Sequence, residues 1–373
     1  MNDFSVTLPF SYEQIDKLAE LNNTVKKSKI TYLYSALPIN CTEDNTGFEQ
    51  NRGYYQDVKN LDDFMKYVKY AKSLGFDFIY LFNSSKGFQL DSPYFYKSIK
   101  RLRRLLDNLQ ELGCNKVKIG NTQILDLITV SYPEIEPILS TVLGYKDIVQ
   151  YQRLKTRYPN IKTTVLVYDS NKDIPFIKAI QKIGFKVKLM VNEGCMTGCP
   201  YRHSHDLYPV YDVRNNSQIE EQWTLFQLYT FTSKCNEVVK DDFWKYAFTN
   251  NIIYPHQISN YNKFGVTDFK IAGRGEQSLK SGFQIDFIKN YLQYVDNPEL
   301  SYDKPFLYFN RALWFEGSPY CKLKDTVGDV IDFLPRLDFF EKNGHDCSVK
   351  CGISCNYCEE CVNKYVLTKT VDK

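Results

Sequence analysis

Short runs rich in β-branched and aromatic residues alternate, again and again, with longer stretches of helical periodicity. No other feature restricts the fold as much, because such alternation is the pattern of repeated strand–helix units around a parallel sheet. Candidate strands are Ile30–Leu37, Asp77–Phe82, Asn115–Gly120, Glu136–Thr141, Lys162–Tyr168, Lys186–Val191, Asn251–Tyr254 and Asp268–Gly273. The intervening segments Leu61–Gly75, Ser92–Gly113 and Ile174–Gly184 are amphipathic, and each ends in the glycine that terminates a helix and feeds a strand. The count and the order predict an α/β fold, a (β/α)8 TIM-type barrel with a C-terminal Cys-rich extension. The expected boundaries are an N-terminal segment over 1–24, the barrel with its metal site over 25–310, and the extension over 311–373.

A chain of 373 residues can bury a large core, so this is no small stapled scaffold. Its 47 basic and 44 acidic residues leave a formal charge of +3, which does not suggest a surface built to coat nucleic acid; RNA contact is permitted but not indicated. The N-terminus lacks a basic start and an apolar run, and no stretch approaches the length of a membrane span. The expectation is a soluble, cytoplasmic protein with no membrane partner. In that compartment thiols stay reduced, so clustered members of the 11 cysteines are expected to bind metal rather than form disulfides.

The cysteines fall unevenly. Cys114 sits between a helical pattern and a strand and reads as a buried small hydrophobe. In "VNEGCMTGCPYRHSHD", Val191 to Asp206, Cys195 and Cys199 accompany Arg202, His203 and His205, directly after a predicted strand. Cys41 follows the first predicted strand, Cys235 lies in the long connection after Lys186–Val191, and Arg274 follows Asp268–Gly273. Reactive groups of a barrel gather where strands end, so these residues are expected on one face. Four thiolates there would suit an iron–sulfur cluster or a zinc ion. The tail holds Cys347, Cys351, Cys355, Cys358 and Cys361, a density that packing does not explain. A second iron–sulfur cluster or a zinc site that folds the tail is the expectation.

The stretch "NEGCMTGCPYRHSH", with the sequence before it and "GVTDFKIAGR" (Gly265 to Arg274) after it, resembles the collagenase-like family thirty-two of the unassigned peptidases over roughly Phe76 to Leu292. That resemblance implies a barrel and a four-cysteine cluster, usually 4Fe–4S. Several members carry out oxygen-independent hydroxylation of RNA pyrimidines or quinone precursors, with prephenate as the proposed oxygen donor. By the same resemblance Cys195 and Cys199 match the paired cluster ligands, and Arg274 matches the arginine that closes the Lys-Ile-x-Gly-Arg motif. Cys235 and Cys41 complete the expected set by position. The substrate does not carry over.

Around that cofactor, Arg202 and Arg274 read as an anion clamp, since a guanidinium fork matches a carboxylate or phosphate. His203 and His205 read as acid/base or substrate-contacting groups. His256, at a predicted helix start, reads as structural. The expected function is an iron–sulfur-dependent oxidoreductase, hydroxylating or otherwise modifying an anionic aromatic, RNA-base or peptide substrate without oxygen. Two alternatives stand beside it: an accessory subunit whose cluster is structural and whose partner is a second barrel subunit, and a peptidase. The second lacks a nucleophile elbow, a His-Glu-x-x-His helix or paired carboxylates to do the work.

Overall fold

The computed structural model describes residues 1–38, 40–41, 43–49, 55–84, 95–192, 199, 251–273, 283–298 and 360. Eight parallel strands close into a barrel in chain order: β1 (Asn2–Thr7), β2 (Ser28–Ser35), β3 (Asp77–Phe82), β4 (Lys116–Ile119), β5 (Glu136–Leu139), β6 (Thr163–Val165), β7 (Lys186–Met190) and β8 (Asp268–Lys270). Helices α1 (Tyr12–Thr24), α2 (Leu61–Ser73), α3 (Phe95–Glu111), α4 (Thr122–Ser131), α5 (Ile148–Arg157), α6 (Ile174–Lys182), α7 (Ile258–Lys263) and α8 (Phe283–Asp296) follow the strands in turn. The eight-stranded TIM-type barrel expected from the alternation is therefore the fold.

Two strand assignments change. The barrel begins at Asn2, inside the stretch expected to precede it, and β1 pairs with both β2 and β8. Phe4 and Val6 of this strand are buried, and Ser5 and Thr7 alternate with them, so a six-residue strand lies in what reads as a terminus. Conversely, Asn251–Tyr254 is not a strand. It is buried and tied to the end of β7 where the Ile253 N–H donates to the Val191 carbonyl at 2.8 Å, and it then turns into a 3-10 turn at Pro255–Gln257. Its β-branched residues are buried without joining the sheet.

Local chemistry fixes the helices. Asn60, Asn121 and Asp173 cap α2, α4 and α6, each accepting an N–H from the first turn. At the other ends Gly75 (φ 87°) and Gly184 (φ 100°) take the left-handed conformation that lets the chain reverse into the next strand. Outward-facing strand residues pack against this helical ring: Phe4 stacks on Phe269 with centroids 5.5 Å apart, and Phe64 of α2 meets Phe78 and Tyr80 edge-on. The remaining side of every strand faces the lumen.

Candidate active site at the barrel mouth

At the carboxyl end of β7 the chain leaves the barrel and returns to nearly the same point. The Asn171 side-chain amide donates both to the Met190 carbonyl and to the Asn251 carbonyl, each at 2.8 Å, and the Tyr261 hydroxyl donates to the Asn171 carbonyl. Asn192 then binds the backbone of Ala272 reciprocally, donating to its carbonyl at 2.8 Å and accepting its N–H at 2.6 Å. The ends of β7 and β8 are thus locked side by side. Across the seam, the Thr7 hydroxyl donates to the Gly273 carbonyl, and the Tyr34 hydroxyl donates to the Ile271 carbonyl at 2.6 Å.

Below this mouth the lumen is lined by lysines. On β4, Lys118 shares a face with Lys116, whose ammonium reaches the Tyr32 hydroxyl at 2.6 Å. On β7, Lys188 donates to the Ser5 hydroxyl at 2.6 Å and lies 4.8 Å from the centre of the Tyr32 ring. On β8, Lys270 stands opposite Ser5 and Met190 in register and lies 4.3 Å from the Tyr34 ring. Lys118, Lys188 and Lys270 are 4%, 3% and 7% exposed, so their charges are withdrawn from water. Burial pulls the Lys188 pKa down to about 8. At the amino end of the barrel, Lys186 bonds Asp268 at 2.8 Å, closing the lumen with an ion pair.

Of the cysteines expected at the mouth, two lie among the described residues. Cys199 is half-buried. Cys41 is 1% exposed in the apolar core, and its thiol lies 3.5 Å from the Val58 carbonyl, ahead of α2. It sits behind the barrel wall beside Tyr80, an outward residue of β3 whose hydroxyl donates to Glu49 at 2.7 Å. Burial raises the Glu49 carboxyl, and the hydrogen bonds from Tyr80 and Thr46 oppose that rise. The turn at residues 41–45 places Cys41 in the buried region ahead of α2. Cys114 is buried at 2%, and burial raises its thiol to about 11. His256 stacks on Tyr254, with ring centroids 5.8 Å apart.

Cys195, Arg202, His203, His205, Cys235, Arg274 and the tail cysteines Cys347, Cys351, Cys355, Cys358 and Cys361 lie outside the described residues, as does the extension over 311–373 apart from Glu360. Among the described residues no three metal-ligating side chains gather. Sequence reasoning missed the luminal lysines. Their signal was present in "KVKI" and "KVKLM": in a strand covered on both faces, lysines at every second position have only the lumen to enter.

No family model matches the chain. The Uncharacterized protease MJ1657 of Methanocaldococcus jannaschii is 24% identical over 285 residues, covering 73% of this chain and 77% of the relative. Among solved structures, the U32 peptidase Mk0906 is 14% identical, with a TM-score of 0.41, over 58% of this chain and 82% of that one. An O-GlcNAc hydrolase mutant from Thermobaculum terrenum is 13% identical, with a TM-score of 0.36, over 100% of this chain and 96% of that one. In its sequence motifs the chain resembles the U32 peptidases, and an archaeal protein named as a protease is its relative along most of both lengths.

Proposed function

We propose that the chain is an iron–sulfur enzyme, an oxygen-independent oxidoreductase or hydroxylase acting on an anionic substrate at the barrel mouth. One observation carries this reading. The segment with Cys195, Cys199 and Cys235 leaves and re-enters at the end of β7, and the segment with Arg274 leaves the end of β8, two points that Asn192 binds together. Thiolates are the donors that iron–sulfur clusters take, and the half-buried Cys199 suits a ligand between protein and substrate. Cys195, Cys199 and Cys235 form the core of the proposed set. The fourth thiolate is Cys41, buried behind the wall, or a tail cysteine, and the test below separates them. The remaining tail cysteines hold a second site, iron–sulfur or zinc.

When bound, the cluster would supply redox or Lewis-acid chemistry at the mouth. Arg202 and Arg274 grip a carboxylate or phosphate through paired N–H donors, and His203 or His205 moves a proton to or from the substrate. Purification without oxygen, followed by iron and sulfide assays, tests the reading: Cys195→Ser should lose the mouth cluster and its brown chromophore, and truncation after Asn343 should lower total metal. Full iron and sulfide in Cys195→Ser would refute the ligand assignment. A peptidase is the second reading, favoured by the relative's name. Peptide cleavage by the metal-free chain, with no anaerobic turnover by the loaded one, would put it first. Turnover that appears only with a second barrel subunit, at that subunit's own site, would make this chain the accessory partner.

A further inference from the structure

The formal charge of +3 hides an uneven distribution. Between Ile148 and Lys188 the chain carries nine basic residues against two acidic ones. Both acids are engaged, Asp169 by Lys146 at 2.6 Å and Asp173 as the cap of α6. Helices α5, α6 and α7 contain no acidic side chain at all. They are neighbours on the barrel wall: the Lys155 ammonium of α5 lies 5.1 Å from the Phe185 ring that follows α6, and Lys178 of α6 lies 4.9 Å from the Phe264 ring that follows α7. On their outer side Arg153, Arg157, Lys162, Lys178, Lys182 and Lys263 are all exposed. Arg157, Lys182 and Lys263 end their helices and Lys162 directly precedes β6, so the face runs to the amino end of the barrel, away from the mouth.

Cations in a last helical turn complement the helix dipole, which accounts for Arg157, Lys182 and Lys263. It does not account for Arg153 and Lys178, each of which stands one turn before a like charge at the i,i+4 spacing that repels. Helices α1 and α2 use such spacings for opposite charges, Glu13 with Lys17 and Asp63 with Lys66. Among the described residues only Arg157 of the six meets a carboxylate, that of Asp126 at 3.1 Å. We propose that this wall is a docking face for the phosphate backbone of a nucleic-acid duplex, bound without regard to sequence. A protein partner takes an apolar anchor at the centre of its interface, and a bilayer takes an apolar side chain to insert. The exposed apolar residues of α5, Ile148 and Val149, stand instead at its mouth end. Among the described residues no exposed aromatic ring lies between these cations, so unpaired bases have nothing to stack on. A polar, strongly cationic face without anchors is the make-up of a phosphate-binding surface. The inference goes beyond the reading of the mouth, since it concerns the other end of the barrel and needs neither cluster nor turnover.

Fluorescence anisotropy with the full chain tests it, using labelled RNA and DNA duplexes of scrambled sequence as probes. The wild type should bind both with similar affinity, with dissociation constants on the order of micromolar, and should lose affinity as salt rises with a log–log slope of about −3 to −5. Lys178→Glu combined with Lys182→Glu should weaken binding about ten-fold or more and make that slope shallower by about two. Lys66→Glu combined with Lys69→Glu, the same change in charge placed on α2, should bind as the wild type does. Equal weakening by the two pairs would assign the binding to net charge and overturn the face. So would a wild type that binds no duplex, that prefers single strands, or that prefers phosphatidylserine vesicles to either duplex. Should the glutamate variants fail to fold, lysine acetylation of the wild type read by mass spectrometry decides. Bound duplex should protect Lys162, Lys178, Lys182 and Lys263 and leave Lys66 and Lys69 reactive, while uniform protection or none refutes the site. Because iron enters none of these readouts, failure of the iron–sulfur reading leaves this test intact.

Discussion

Lys188 shows what burial does to a single charge. In the folded barrel its pKa lies at about 8, against an ordinary 10.5, because the charged form is cut off from water. Between those values the unfolded chain holds a proton that the folded chain has released, so stability rises with pH across that window. The depression corresponds to about 3 kcal/mol. Lys188→Met should therefore flatten the rise and stabilise the protein at neutral pH by up to that amount, as urea titrations at several pH values will show. Cys41 offers a second check. Cys41→Ala should leave iron content unchanged and cost about 1–2 kcal/mol, because it empties a little of the core; loss of iron would make Cys41 the fourth ligand. Both residues mark where sequence reading stops: the spacing of Cys41 after a strand does not say that its thiol is buried beside the Val58 carbonyl.

At the scale of elements, the joints are more sensitive than the rods. Gly120 follows β4, and a Cβ there would lie 2.8 Å from the Asn83 backbone beyond β3, where no side chain can swing away. Gly120→Ala should cost about 1–3 kcal/mol by forcing the two strand ends apart. Replacing the cap Asn60 by Ala should cost about 1 kcal/mol, since the Asp63 N–H then loses its acceptor. Guanidinium unfolding will rank the two. The helices were legible from sequence because apolar spacing and a terminal glycine agree at each of α2, α3 and α6. Strand β1 was not, since Asn2, Asp3 and Ser5 interrupt the β-branched and aromatic run that marks the other strands. Asn251–Tyr254 misled for the opposite reason, having a strand's composition in a segment whose backbone is bonded to a strand end rather than along a ladder.

At the scale of the whole molecule, the barrel depends on its first strand. Deleting residues 1–8 would leave the facing edges of β2 and β8 unpaired, so the truncated chain should keep much of its helical far-UV circular dichroism while losing near-UV signal and thermal cooperativity. A truncated chain with a sharp transition at the wild-type temperature would show that β1 is dispensable. Fold class was readable because the strand–helix beat is a property of the entire chain, whereas the lysine lining of the lumen depends on closure of the ring, which brings together residues from distant repeats. That closure also has a cost in time. The β1 edge that β8 covers is made before the rest of the barrel, and its partner at Asp268–Lys270 only after most of it. At about 5–20 residues per second the ribosome needs on the order of 10–50 s to span the interval. Throughout it the nascent chain carries an open sheet edge, so arrested chains that end before Asp268 should be captured by chaperones and cut by proteases that spare the released protein.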